Sequence, residues 1–319
     1  MTRFILRRVL LAAFVAWLIS LVVFALFYLA PPDPARTIAG RLATAETIAA
    51  VRHRLGLDRP VPDQYAHFLA GLAHGDLGYS FYNSEPVRSL IAARFPVTLS
   101  LTVGGAVIWL LLGVGVGVLA ARRPRTLVDR AATLFVLTGL SMPTFLVGLL
   151  LLYVLFFRLH LAGIDTFPGG GYVPFTQSPA DWARHLILPW LTLAVVSAAT
   201  YTRLTRASLL EVLGEDYVRT ARAKGISERR VVYRHALRSA LTPLVTQLGI
   251  DVGTLLGGAI VTETIFGLPG LGQLAVQSIT TQDLPVIVGI VLLAAFFIVT
   301  ANIVVDLLYA VLDPRVRLR

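Results

Sequence analysis

Three carboxylates stand where a carboxylate is expensive. Asp251, Glu263 and Asp306 lie within runs of apolar residues long enough to cross a bilayer. A charge at bilayer centre costs about 2.5 to 3.5 kcal/mol even on the lenient insertion scale, so each acid must face protein or water. Asp251, well inside its run, either lines a polar pathway and meets a cationic group there, or is bonded to a neighbouring hydroxyl as a structural pair. Glu263, nearer the far end of the same run, is a second pathway candidate or an interfacial carboxylate reaching water. Asp306 sits close to arginines and reads as an ion-pair acid. Two hydroxyls, Ser141 and Thr200, are weaker pathway candidates, because a hydroxyl within a span usually bonds back to its own helix.

None of these groups is arranged for catalysis. There is no His-Glu-x-x-His, no Gly-x-Ser-x-Gly and no Gly-x-x-x-x-Gly-Lys-Ser/Thr, and the six histidines are scattered. The expectation is a non-enzyme with no catalytic residue, no metal and no cofactor of its own. Cysteine is absent, which removes disulfides and thiolate chemistry.

The densest chemistry is cationic. Residues 214–243 read GEDYVRTARAKGISERRVVYRHALRSALTP between two apolar runs. Asp216 is placed to accept from the free N–H groups of a helix start, and Tyr217, Val218 and Ala221 then share one face of a short helix. Gly225 ends it, and Ser227 caps a second helix running through Val231, Val232 and His235 towards Pro243. A helix this short is marginal alone in water, so one held out on a basic loop is expected to dock on something.

The chain that carries these groups has 319 residues, 56% of them hydrophobic and 14% charged, with a net charge of +10. That is the balance of a membrane protein. Its basic residues flank apolar runs rather than cover a soluble domain, which favours membrane orientation and argues against nucleic acid. Six spans are expected, at about 9–30, 98–121, 131–157, 186–204, 244–266 and 286–312. The first, preceded by Arg3, Arg7 and Arg8, is too long for a signal peptide and lacks a small-x-small end. Residues 31–97 form a polar insertion in which Thr44 caps one helix and Pro86 opens another. Gly104, Gly105, Gly113, Gly115 and Gly117 let a second helix approach the span they occupy, and Pro143 kinks the next span. The expected division is 1–30, 31–97 and a core of 98–319 containing the loop 205–243. Arginine is dense on one side, at the N-terminus, in 122–130, in the loop and in the tail. By the charge rule that side, with both termini, is cytoplasmic. The insertion, with seven arginines against six acids, does not decide orientation.

DYVRTARAKG followed by HALRSALTP resembles the cytoplasmic loop of permease subunits of binding-protein-dependent ABC importers, in the dipeptide/oligopeptide B-type branch. APPDPA, Gly75-Asp76-Leu77-Gly78-Tyr79-Ser80, Ser141-Met142-Pro143, Gly267-Leu268-Pro269-Gly270-Leu271-Gly272 and Asp313-Pro314-Arg315 extend the resemblance over nearly the whole chain. Two places depart from it. Pro32 replaces a common glycine, and Arg219, Thr220 and Ala221 stand where the wider family prefers Glu-Ala-Ala. The resemblance implies an all-α polytopic membrane protein with the six helices of the type I importer permease fold and a small helical extracytoplasmic insertion. It also implies a coupling helix made of Asp216, Tyr217, Val218, Arg219, Thr220, Ala221, Arg222, Ala223 and Lys224, closed by Gly225. The implied partners are a homologous second permease, two ATP-binding cassette ATPases holding ATP and Mg, an extracytoplasmic solute-binding protein, membrane lipid and a peptide substrate, in a bacterial cell membrane. Nickel chelates, glutathione and glycosides are alternative cargoes. An ion-driven secondary transporter is the distant rival, but it predicts an internal repeat that this chain lacks. A membrane scaffold is disfavoured by Asp251.

Overall fold

The protein is described by a computed structural model covering residues 2–26, 35–36, 43–54, 56–80 and 82–312. Most of APPDPA and all of Asp313-Pro314-Arg315 lie outside the described residues, as does the expected end of the first span.

Helix α1 (Thr2–Phe24) is the first apolar rod. Two amphipathic helices follow, α2 (Ala45–Arg54) and α3 (Val61–Ala73). Thr44 caps α2 as its sequence suggests, its Oγ1 accepting from the Thr47 N–H at 3.2 Å. Tyr65 of α3 reaches Ser20 Oγ of α1 at 2.8 Å and packs edge-on against Phe24 at 5.2 Å, so the insertion rests on the end of the first helix. A two-residue hairpin pairs β1 (Tyr79–Ser80) with β2 (Glu85–Pro86). Its turn is anchored by buried Asp283, which accepts from the Ser80 hydroxyl and, at 3.4 Å, from Asn83 Nδ2.

Helix α4 (Val87–Arg122) corrects one expected boundary. The helix opened by Pro86 and the span beginning near Thr98 are one continuous helix with Pro96 inside it, so the expected 97/98 division falls within an element. A proline costs one backbone hydrogen bond, and flanking contacts can hold both halves in line. Val87 and Ile91 before Pro96, and Val97 and Leu101 after it, are buried.

The next span is broken rather than kinked. Helix α5 (Leu127–Ser141) stops at Met142, which is extended, and α6 (Thr144–Leu151) restarts after Pro143 and runs on through a π-helical turn, Leu152–Arg158, to Leu161. The residue before a proline is pushed out of the helical region, which explains the break at Met142. Helix α7 (Pro179–Leu213) begins on Ser178, whose Oγ accepts from the Asp181 N–H. It crosses α4 at the glycine seam. A Cβ on Gly113 would meet Tyr201 Cβ at 2.5 Å and the Ala198 carbonyl at 3.0 Å, and one on Gly117 would meet Thr205 at 2.6 Å. Gly115 faces open space and takes no part. Around the crossing lies the main core, with Trp109, Leu101, Leu186 and Tyr201 fully enclosed.

The fifth expected span is also two pieces. Helix α10 (Thr242–Leu256) ends at Gly257, Gly258 has φ +130°, and α11 (Ile260–Ile265) follows. A Cβ at Gly258 would lie 2.8 Å from Gly272 backbone, so this glycine serves both conformation and close approach. After α12 (Leu271–Thr280), α13 (Leu284–Leu312) completes the bundle and packs on α10 and α1. Among the described residues five helices are long and apolar enough to cross a membrane; the expected span 244–266, divided between α10 and α11, is not among them. The elements α8 and α9, between α7 and α10, belong to the loop described next.

Candidate functional site

Helix α8 (Asp216–Ala223) is the short helix read from the loop. Lys224 is its C-cap and Gly225, at φ +75°, follows in the left-handed region. Gly225 N–H donates to the Arg222 carbonyl at 2.9 Å and Ile226 N–H to the Ala221 carbonyl at 3.3 Å. These two bonds satisfy carbonyls that a helix end otherwise leaves orphaned, and left-handed backbone at that point selects glycine. Asp216 is not the cap. Glu215 holds that position without a side-chain bond, and Asp216 lies in the first turn, where its charge still favours the helix dipole.

The helix presents its faces differently from the sequence expectation. Val218 and Ala221 turn inward and Tyr217 does not: Val218 is 0% exposed, whereas Tyr217 is 46% exposed, its hydroxyl donating to Ser239 Oγ at 3.2 Å. Val218 and Ala221 pack in one cluster with Val118 and Ala121 at the end of α4, Leu209 near the end of α7, and Val231, Val232, Ala236 and Ala240. The last four belong to α9, which runs from Glu228–Arg230 through a π-helical turn, Val231–Ala236, to Leu237–Ala240. Ser227 stands at its N-cap without a side-chain bond. Asp216, Tyr217, Arg219, Thr220, Ala223 and Lys224 remain on the solvent side.

Polar contacts brace the same unit. Arg222 donates to both Glu228 oxygens, at 3.1 and 2.8 Å, and to the Leu213 carbonyl at 3.3 Å, and the Arg122 guanidinium lies over the Tyr233 ring at 5.8 Å. The hydrogen bond from Arg222 holds the Glu228 carboxyl below its ordinary value. A depressed acid stabilises the fold above its unfolded-state value, so this pair acts fully at neutral pH and fades as pH falls through the lowered value. Both side chains are over a third exposed, so water screens the gain. A second brace was not read from sequence. Arg206 of α7 grips Asp129 of α5 with two bonds, 2.6 and 3.0 Å, while the Arg125 N–H adds a third at 2.9 Å. Asp129 was visible as an isolated acid in an arginine-rich turn. A buried acid there needs such partners.

The loop geometry predicts a backbone-specific defect. Gly225→Pro loses the N–H and cannot adopt φ +75°, whereas Gly225→Asn keeps access to the left-handed region. The expected result is a chain that inserts normally but whose loop 214–230 is cut at least about tenfold faster in limited proteolysis, with the asparagine variant close to wild type. Cleavage of the proline variant at the wild-type rate would remove any role for this turn.

The acids within the bundle separate cleanly. Asp251 of α10 accepts from Tyr201 OH at 2.8 Å and from Gln247 Nε2 at 2.9 Å and stays partly exposed, next to Ile250, which is half exposed. Glu263 has no exposed surface, which corrects its reading as an interfacial carboxylate reaching water. Its Oε1 accepts from Thr98 Oγ1 at 2.8 Å and the Ala259 N–H at 3.2 Å, and its Oε2 from the Gln273 N–H at 2.9 Å. Thr98 Oγ1 itself accepts from the Leu271 N–H at 2.9 Å, so its own hydrogen is directed to Glu263. Asp306 pairs with Arg8 at 2.9 Å, as its position suggests. Ser141 bonds back to the Leu137 carbonyl at 2.8 Å and Thr200 is half-buried on α7. The structure does not gather Asp251, Glu263, Ser141 and Thr200 into one polar cluster.

Comparison with known proteins bears on both regions. Residues 113–318 match the family described as binding-protein-dependent transport system inner membrane component, and residues 1–102 match the N-terminal family of such membrane components. A protein of Brucella abortus (strain 2308) named as a peptide transport system permease is 44% identical over 317 residues, 99% of each chain. The glutathione transport system permease protein GsiC of Escherichia coli (strain K12) is 41% identical over 317 residues, again 99% of each. Among solved structures, a chain of the inward-facing MetNI methionine ABC transporter aligns with a TM-score of 0.53 at 20% identity, covering 70% of this chain and 96% of that one. At that identity the likeness establishes the fold.

Proposed function

This chain belongs to the inner membrane component family of binding-protein-dependent transport systems, and on that premise we propose that it forms half of the translocation pathway of an ATP-driven peptide importer. The observation that carries the coupling part is the seating of α8. Its inward face is packed on the ends of α4 and α7 while its outward face is left to solvent, so a force on the outer face is delivered to two long helices. Fully burying Val218 is worth about 1.5 to 3 kcal/mol, and the arginine braces stiffen the same unit. In this reading two ATPases receive α8 of this chain and the matching helix of a homologous second permease. They hold the ATP and Mg. A solute-binding protein delivers cargo at the opposite face, where the insertion 31–97 lies. ATP-driven closure of the ATPases moves the coupling helices and rocks the bundle between its two access states. Both termini and the loop are cytoplasmic, from the arginine distribution.

Peptide cargo is favoured by the relatives named for peptide transport, and the relative named for glutathione is itself named for a small peptide. Within the pathway Asp251 is the residue proposed to meet a cationic group such as a peptide ammonium. Two donors hold its carboxylate in place, and it stays partly exposed in the α10 segment that also leaves Ile250 and Thr254 exposed. Asp251→Asn is expected to reduce uptake of peptides with a free amino terminus by about tenfold, the scale of one charge-assisted hydrogen bond, with the complex still assembled. Loss of assembly instead would make the Tyr201–Asp251 bond structural.

The reading as a whole is tested by purifying the tagged chain from its own membranes, identifying what remains bound and reconstituting the complex in liposomes. ATP-dependent peptide uptake that needs the binding protein supports it. A chain that purifies alone and moves solute without ATP would replace it with a secondary transporter.

A further inference from the structure

Between α1 and α13 the bundle leaves a crevice of about 280 Å³ that none of the proposed transport steps uses. Leu11, Ala12 and Val15 of α1 and Val299 and Ile303 of α13 form its apolar walls, while Arg8 and Asp306 stand together at one end. The two charged side chains are paired at 2.9 Å, yet the arginine is 46% exposed and the aspartate 17% exposed. Thr246 of α10 and Asn302 of α13 add polar groups to the lining. The composition is therefore graded. A cation and an anion share the end nearer the start of α1, and the walls become hydrocarbon-like towards the middle of both helices.

We propose that this crevice is a binding site for one phospholipid with a zwitterionic phosphoethanolamine headgroup. Its phosphate would lie on Arg8, its ammonium on Asp306, and one acyl chain along Leu11, Val15, Val299 and Ile303. The charge pattern selects the headgroup. A purely anionic headgroup would match Arg8 but meet Asp306 with like charge, whereas adjacent phosphate and ammonium groups match both. An arginine suits the phosphate because a guanidinium donor forms a charge-assisted hydrogen bond with a phosphate oxygen. With the termini oriented as proposed above, the lipid belongs to the cytoplasmic leaflet. The site itself does not depend on that orientation.

The test uses the whole complex purified from membranes, stripped of lipid with detergent and re-exposed to phosphatidylethanolamine or phosphatidylglycerol. Lipid retained per complex is then counted by native mass spectrometry. Wild type is expected to retain phosphatidylethanolamine at least fivefold over phosphatidylglycerol. Asp306→Asn should reverse or abolish that preference by admitting the anionic lipid, an exchange that a folding defect would not produce. Ile303→Trp keeps the ion pair and fills the apolar wall, and should lower retention of both lipids by at least fivefold. Equal retention of the two lipids by wild type, an unchanged preference in Asp306→Asn, or undiminished binding in Ile303→Trp would each overturn the proposal. So would a crevice closed by the second permease, seen as no retained lipid in wild type.

Discussion

Val218→Asp is expected to uncouple the complex. The substitution removes a side chain with no exposed surface from the cluster that joins α8 to α4, α7 and α9, and it puts a carboxylate there with no partner in place. Loss of the buried valine costs about 1.5 to 3 kcal/mol, and an unpaired buried charge adds several more unless the helix moves out to water. Moving out is easy for a helix this short, because little besides its docking holds it. The predicted phenotype is normal membrane insertion, at least a tenfold fall in ATP hydrolysis stimulated by loaded binding protein, and near-normal activity for Val218→Ile. Stimulation unchanged in the aspartate variant would mean that α8 does not transmit through this cluster.

Glu263→Ala should be the most destabilising single change within the spans. It strips an acceptor from the Thr98 hydroxyl and from the Ala259 and Gln273 N–H groups, and it leaves a void beside Gly270 and Gly272, where the carboxylate now fills the space a Cβ would need. Each orphaned buried group costs about 1 to 3 kcal/mol. Even partial relaxation leaves roughly 3 kcal/mol, equivalent to a drop of about 4 to 5 °C in the apparent melting temperature at the unfolding entropy of a chain this long. Glu263→Gln preserves shape but turns one acceptor into a donor facing a donor, and should fall between alanine and wild type. Thermal unfolding of the purified complex followed by tryptophan fluorescence measures both. An alanine variant as stable as wild type would contradict the network. The network also gives Glu263 a definite task, since it ties α4, α11 and α12 into one body around the Gly257–Gly258 break.

How much of this was legible in the chain differs from feature to feature, and for physical reasons. The loop helix and its terminator could be read because capping is local: Gly225 declares a left-handed residue whatever surrounds it. Which face of that helix turns inward could not, because Tyr217 and Val218 flank Ala221 on its two sides and only the tertiary packing of Val231, Val232 and Leu209 chooses between them. Hydropathy found the apolar runs but not their continuity. The run across 244–266 stays apolar through Gly257 and Gly258, so a hydropathy window reads one span where the backbone makes two pieces. The reverse happened at the 97/98 division, where polarity ends the insertion and apolarity begins the span, yet packing on both sides of Pro96 keeps one helix. The intramembrane acids were recognisable as costly, and Asp306 found the arginine expected of it. Their partners are remote in sequence, Tyr201 for Asp251 and Thr98 for Glu263, so no local pattern names them. The same holds for Asp283, which anchors Ser80 and Asn83 from the far end of the chain.

The central claim is that the outward face of α8 meets an ATPase while its inward face stays on the bundle. The chain contains no cysteine, so an engineered cysteine is its single thiol. Thr220→Cys faces solvent and Ala221→Cys faces the cluster, although the two are adjacent in sequence. In membranes holding the complete complex, a short thiol-to-amine cross-linker should join Thr220→Cys to an ATPase subunit in good yield, and the yield should change with ATP. Ala221→Cys should give little or no product. Equal cross-linking from both positions, or none from Thr220→Cys while the ATPases co-purify, would contradict the account.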